Sequence, residues 1–340
     1  IVLTHGDLGT GERIQSIFER RGIEETEYQR KQMIYFCPGL FHCKMACTDT
    51  LHRLLVKPED ISNDSTSLMN DVKVLRPRET YLIQTKPTFR QMHQVINHAG
   101  ICRRLDCWCI LAQKMDSSHA SLESFATLQP TLEDLKNMAN KLALEYANCK
   151  NLSLDRMKPG IERDEVLENS RLILKYLALY EEFSWAMNTG DIGRVERCLV
   201  SWIPLFKGTG KHKYATHLEN FLRSVHFELP EATKHAVRYN WLLNVTGKPG
   251  KFRAVDWYVE LHNLHMKVDH GGQGPNRTIK RIIAESALIG NYKSAHQVVE
   301  RNFILSNQTC LHGEADMTKT FAEILAHYKE SSPHDFIPGR

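Results

Sequence analysis

Two short apolar runs near the N-terminus read as strands, and after residue 57 nearly every periodic segment is helical. That contrast restricts the fold more than any motif does: a mostly α protein with a small α/β part. The first run is "IVLTH" (1–5). It leads through Gly6 and Asp7 into a helix with Ile14, Ile17 and Phe18 at helical spacing and Thr10 as the expected N-cap. The second run, "QMIYFC" (32–37), stops at Pro38 and Gly39. There "LFHCKMACTDTLHRLL" (40–55) places Leu40, Phe41, Met45, Thr48, Leu51, His52 and Leu55 on one helical face. A β–α–β–α order makes the strands parallel neighbours with helices packed on them. Two strands alone do not make a stable sheet, so the remainder is expected from elsewhere. The first residue is Ile1, already inside a strand-like run, and the chain is expected to be part of a longer sequence.

A polar stretch, "KPEDISNDSTSLMND", follows the second helix. Helical segments are then expected at 88–98, 101–115, 131–147, 164–188, 191–206, 212–227, 231–243, 255–268, 277–290, 292–304 and 318–330. Gly190 and Asp191 mark one boundary, a glycine ending one helix and an aspartate opening the next. Pro275 marks another, near the start of the next helix. With 340 residues, 42% hydrophobic and 25% charged, the chain has ordinary globular composition and can bury a real core. Its formal charge of +4 permits nucleic-acid contact without arguing for it. Nine cysteines, an odd number scattered irregularly, fit reduced thiols better than a disulfide framework. No run is long and apolar enough for a membrane span, and no signal peptide is visible. A nuclear or cytoplasmic location is therefore expected, away from membranes. Nothing in the sequence sets an oligomeric state.

The loop "HGDLGTGE" lacks the Lys-Ser/Thr of a P-loop and the spacing of a dinucleotide fingerprint. Asp7 reads as turn or helix-terminal chemistry, or as a carboxylate at the C-terminal end of a parallel strand, where open α/β sheets place their sites. Such a carboxylate suits Mg²⁺ or Mn²⁺ if another segment supplies a second. The 255–268 helix offers one. Asp256, Glu260, Asn263 and Lys267 form a narrow polar stripe, with Val259 and Met266 on one side and Trp257, Leu261 and Leu264 on the other. The helix thus reads as mostly buried, its carboxylates either functional or neutralised by Lys267 and Arg253. Cys37, His42, Cys43 and Cys47 invite a zinc reading. Adjacent helical residues diverge, however, and no second pair supports it, so zinc is not expected. Cys43 or Cys47 could be a nucleophile beside His42, but no third group orients them. "FKGTGKHKYA" (206–215) and "TGKPGKFRA" (246–254) are basic turns that suit phosphate contacts or plain solvation equally.

Together, "THGDLGTGERI", "GLFHCKMACTDTLHRLL", "AMNTGDIGRVERCL", "FKGTGKHKYA", "NWLLNVTGKPGKFRAVDWYVELHNLHMK" and "HGGQGPNRTIKRI" resemble a fungal family designated domain of unknown function 6589, over nearly the whole chain. That resemblance implies a transposon-derived origin and no assigned activity. The layout is also similar to RNase H-like transposases of the hAT and Mutator-like groups. In that arrangement Asp7 matches the second acidic residue, Cys37 with His42 the Cys/His motif, and Glu260 the final glutamate. The similarity implies a partial RNase H-like core at 1–56, a helical insertion at 57–245, C-terminal helices returning to the core at 246–330 and a tail at 331–340. It implies Mg²⁺ or Mn²⁺ on Asp7 and Glu260, supported by Asp256, Cys37, His42, Asn263 and Lys267, for phosphoryl transfer on DNA. Lys211, Lys213, Lys248, Lys251 and Arg253 are the candidate phosphate contacts. A further acidic residue, on a strand before Ile1, would complete the metal set, so catalysis by these residues alone is not expected. The alternative is a catalytically inactive helical scaffold or interaction domain.

Overall fold

The computed structural model describes residues 1–58, 64–116, 121–269, 278–303 and 315–340; Cys310, Pro275 and the helix ends expected at 277 and 304 lie outside them. Among the described residues are sixteen α-helices and two sheets of two strands each, a mostly α fold with a small α/β part. The chain divides into two compact units. No helix of the described residues is long and apolar enough to cross a membrane.

The first unit comprises 1–43, 187–190 and 220–316. Strand β1 (Val2–Gly6) pairs in parallel with β2 (Ile34–Pro38), from Val2 opposite Ile34 to Gly6 opposite Pro38. Helix α1 (Leu8–Arg20) connects them. It lies close on β2 because Gly11 has no side chain; a Cβ there would meet the Phe36 ring. The N-cap of α1 is Asp7 rather than the expected Thr10. Asp7 Oδ1 accepts bonds from the Thr10 backbone N–H at 2.8 Å and the Thr10 hydroxyl at 2.9 Å. Since β1 runs only to Gly6, the helix begins immediately after Asp7, and Thr10 becomes the donor within its first turn. Helix α2 (Leu40–Leu55) starts after the Pro38–Gly39 turn, and the unit boundary falls within it, after Cys43. The helix expected over 231–243 ends at Tyr239. Leu242–Leu243 instead form β3, antiparallel to β4 (Arg253–Ala254). The connecting loop turns at Gly247 and Gly250, both at positive φ. The helix Val255–Asp269 follows β4 directly. At the end of the helix Glu165–Thr189, Gly190 sits at φ +78° beneath the Phe252 ring, and Phe252 N–H donates to Asn188 O at 3.1 Å.

The second unit comprises 44–186, 191–219 and 317–340. The segments expected at 88–98 and 101–115 are one helix, Phe89–Met115, opened by a Thr88–Gln91 capping box. Gly100 does not break it. A Cβ there would collide with the Glu181 carboxylate, so the glycine serves close packing. Cys107, Leu111, Phe125, Met138, Leu142, Tyr146 and Leu174 form a buried cluster. One turn before Cys107, Arg103 is fully buried against Asp71 (2.8 Å) and Thr66 O (2.7 Å), and His334 Nδ1 meets Asp106 at 2.6 Å. The last residues are docked, not loose. Arg340 donates from Nε and Nη2 to the buried Asp164 carboxylate at 3.0 and 2.8 Å, and Gly339 N–H donates to Arg163 O at 2.7 Å. Asp191 caps the helix Ile192–Gly208, accepting from Arg194 N–H at 3.0 Å. The helix expected over 131–147 is α only to Leu142 and closes with a π-turn, Ala143–Ala147.

Candidate functional site

The Pro38–Gly39 turn lies at the C-terminal ends of both parallel strands. Gly39 N–H donates to Gly6 O at 2.8 Å, and the buried Trp241 indole N–H donates to Pro38 O at 2.8 Å. A Cβ on Gly39 would run into the Asp256 carboxylate and lie 2.7 Å from Gly6 O. Only glycine lets Asp256 come this near the backbone. Asp256, at 2% exposed, uses the approach fully. Its Oδ1 accepts from Phe41 N–H at 3.1 Å; its Oδ2 accepts from His42 N–H at 3.0 Å and from His42 Nδ1 at 2.9 Å. A carboxylate on a distant helix thus takes up two of the N–H groups that the first turn of α2 cannot satisfy internally, where the helix dipole also favours negative charge. Three donors are what keep such a buried carboxylate from being prohibitively costly.

With Nδ1–H directed to Asp256, the Nε2 of His42 faces the half-exposed Glu260, 3.7 Å away. The bond to Asp256 raises the His42 pKa; burial opposes it, and the charges of Asp256, Glu260 and Asp7 add to the rise. Asp7 is held below the usual carboxylate range, chiefly by the Thr10 backbone N–H and then its hydroxyl, with small contributions from His42 and Arg13. Three carboxylates from two segments, Asp7 at the start of α1 and Asp256 and Glu260 one turn apart on the helix Val255–Asp269, therefore act on a single imidazole. His5 lies opposite Cys37 in the strand register; burial lowers its pKa while Asp256 opposes that. Cys37 has no exposed surface, and burial pushes its thiol up to about 12, so it is protonated and unreactive at neutral pH.

Both oxygens of Asp256 accept hydrogen bonds from α2 and His42, which makes it a cap of α2 and the partner of the imidazole. Asp7 spends Oδ1 on Thr10. Among the described residues no group of three or more His, Cys, Asp or Glu could hold a metal ion. Asp7 and Glu260 are carboxylates, the hard oxygen donors that Mg²⁺ takes while keeping several waters, and structural zinc needs four converging ligands instead.

A family model described as a family of unknown function, DUF6589, matches residues 1–312. The chain belongs to this family. No curated protein and no solved structure matches it. In this DUF6589 chain the helix Val255–Asp269 differs from the mostly buried helix expected. Asp256 and Met266 are buried, but Val259 and Leu264 are 47% and 54% exposed. The polar stripe is therefore not enclosed on both sides: its first carboxylate is buried, and the stripe opens to solvent from Glu260 onward. The neutralising partners expected for Asp256 are also replaced. Arg253 bonds Asn188 Oδ1 (3.0 Å) and Phe252 O (2.6 Å), and among the described residues neither Asn263 nor Lys267 forms a hydrogen bond to Asp256 or Glu260. Helix N–H groups and His42 do the neutralising instead.

Lys248 and Lys251 are exposed on the β3–β4 loop. Lys211 and Lys213 belong to the second unit, where Lys211 is committed to Asp49 at 2.5 Å. His5, Gly39 and Trp241 were missed as members of the site. The one local signal was the Pro-Gly pair closing a strand, which called for a turn and said nothing of a carboxylate arriving from residue 256.

Proposed function

We propose that this DUF6589 chain is a transposase-derived, RNase H-like domain whose ancestral chemistry is metal-dependent phosphoryl transfer on DNA. The observation that carries the reading is the convergence of Asp7, Asp256 and Glu260 on His42 at the C-terminal ends of parallel strands. That is where open α/β sheets carry their chemistry. Asp7 and Glu260 would hold Mg²⁺ or Mn²⁺, which when bound polarises a phosphoryl oxygen and lowers the pKa of an attacking water. Asp256 fixes the His42 tautomer, so Nε2 is the atom that takes or returns a proton, on the Glu260 side. Lys248, Lys251 and Arg253 are the candidate contacts to the DNA backbone.

The test uses the full-length protein. Asp7→Asn and Glu260→Gln should each abolish Mg²⁺-dependent strand cleavage or transfer and weaken Mn²⁺ binding measured by titration calorimetry. Wild-type cleavage and wild-type Mn²⁺ affinity in both variants would end the proposal. A second reading, an inactive scaffold, is favoured by the capping duty of Asp7 and the smallness of the sheet. It predicts no metal-dependent activity in the full-length wild type.

A further inference from the structure

A separate feature of the second unit points to a ligand unconnected with the Asp7–Glu260 site. After the π-turn Ala143–Ala147, Cys149 adopts a positive φ of 52° and folds the chain back into the short helix Leu152–Asp155. The result is a cavity of about 200 Å³ walled by Leu144, Cys149, Lys150, Leu152 and Arg171. It is smaller than the roughly 300–1,000 Å³ of sites for drug-sized ligands, so its occupant is small.

Charge decides what kind of occupant fits. The two acidic residues on the wall, Glu145 and Asp155, are matched by Lys114 at 3.6 Å and Lys158 at 2.7 Å. The cationic residues are not matched. Among the described residues Lys150 and Arg171 form no ion pair or hydrogen bond, and Arg171 Nε is buried without an acceptor. Lys175 and Arg171 also bear on the Cys149 thiol, whose pKa is raised by burial first and lowered in part by these cations. The wall therefore carries a guanidinium and an ammonium that no carboxylate of the described residues neutralises, and an oxyanion in the cavity would form charge-assisted bonds with the groups of Arg171 and Lys150 that line it. A guanidinium fork beside a flexible ammonium is the pairing that suits tetrahedral phosphate oxygens.

We propose that this cavity binds a small phosphate-bearing anion through Arg171 and Lys150, with Cys149 on its wall. The bound anion screens the thiol physically and disfavours its thiolate, so both effects slow alkylation.

The experiment takes the full chain and inorganic pyrophosphate, following iodoacetamide modification of Cys149 by peptide mass spectrometry. Cys109, also partly exposed, is the internal reference. Pyrophosphate should protect Cys149 saturably while the Cys109 rate stays constant. Lys150→Gln and Arg171→Gln should each raise the half-protecting concentration roughly tenfold or more, the loss expected for one charge-assisted bond. Lys150 is exposed, so its substitution preserves the fold even if that of Arg171 does not. Absent protection overturns the proposal, as does protection unchanged in the Lys150 variant or a parallel slowing at Cys109. Equal protection by citrate overturns the phosphate assignment.

Discussion

Asp256→Asn tests the centre of the first unit. The wild-type carboxylate serves three donors with two oxygens. The amide keeps one oxygen, which can stay with the His42 N–H and Nδ1–H; its NH₂ then faces the Phe41 N–H and leaves a buried donor without an acceptor. That loss is worth about 1–3 kcal/mol. The imidazole bond also changes from charge-assisted to neutral, about 1 kcal/mol more. A total loss of about 2–4 kcal/mol follows. Urea unfolding of both proteins between pH 5 and pH 8 measures it, with His42 followed by NMR. The pH dependence has a definite sign. His42 has a folded pKa above its ordinary value, so its contribution is fully present below about 6.5, the unfolded value, and is lost as pH rises through the folded one. The gap between wild type and variant should therefore be widest near pH 5 and narrow toward pH 8, leaving the cost of the orphaned donor. In the variant the His42 midpoint should move down. A loss under about 0.5 kcal/mol, or an unmoved His42 midpoint, would refute the argument that Asp256 caps α2 and orients the histidine.

Two further substitutions probe the packing around these groups. Gly39→Ala places a methyl against the Asp256 carboxylate and the Gly6 carbonyl. It should cost about 1–3 kcal/mol in thermal unfolding and lower the His42 pKa by displacing Asp256; a wild-type melt would contradict the close approach. Arg340→Ala leaves Asp164 buried with only the Leu167 and Ile337 N–H groups. Breaking a buried pair on one side costs about 3–5 kcal/mol, so a loss of about 3 kcal/mol is expected. Burial pushes the Asp164 pKa up, but Arg340 and the two N–H groups outweigh it and hold the pKa low. Stability from Asp164 is thus present above its unfolded pKa and lost as pH falls through the folded one. Acid unfolding of the variant should begin at higher pH than in wild type, and coincident acid transitions would disprove the coupling.

Much of the fold was legible because its causes are local. The parallel pair needed only two apolar runs separated by a helix. Gly190 and Asp191 announced a boundary through cap chemistry that spans three residues. Other features were not legible, for definite reasons. Gly100 resembles a breaker in isolation, yet its missing side chain is filled by Glu181. The end of the 231–243 segment has helical composition, but Leu242 and Leu243 find strand partners in residues 253 and 254. Residues 331–340 carry no period and read as a tail, while His334 is buried on Asp106 and Arg340 on Asp164.

The same division runs through the site. From the sequence alone came the carboxylate at the end of β1, the Cys/His pair around the Pro-Gly turn, and the stripe of Asp256 and Glu260 on one helix face. These follow from helical and strand periods and from residue chemistry, which act over a few residues. Tertiary structure alone decided what each group does. It spent Asp7 Oδ1 on a helix cap, made Asp256 the cap of a helix turn 214 and 215 positions earlier in the chain, and turned His42 Nε2 toward Glu260. The reason is physical. A buried carboxylate must find donors, and which donors reach it depends on chain closure at Gly39, where a single added carbon would keep Asp256 out.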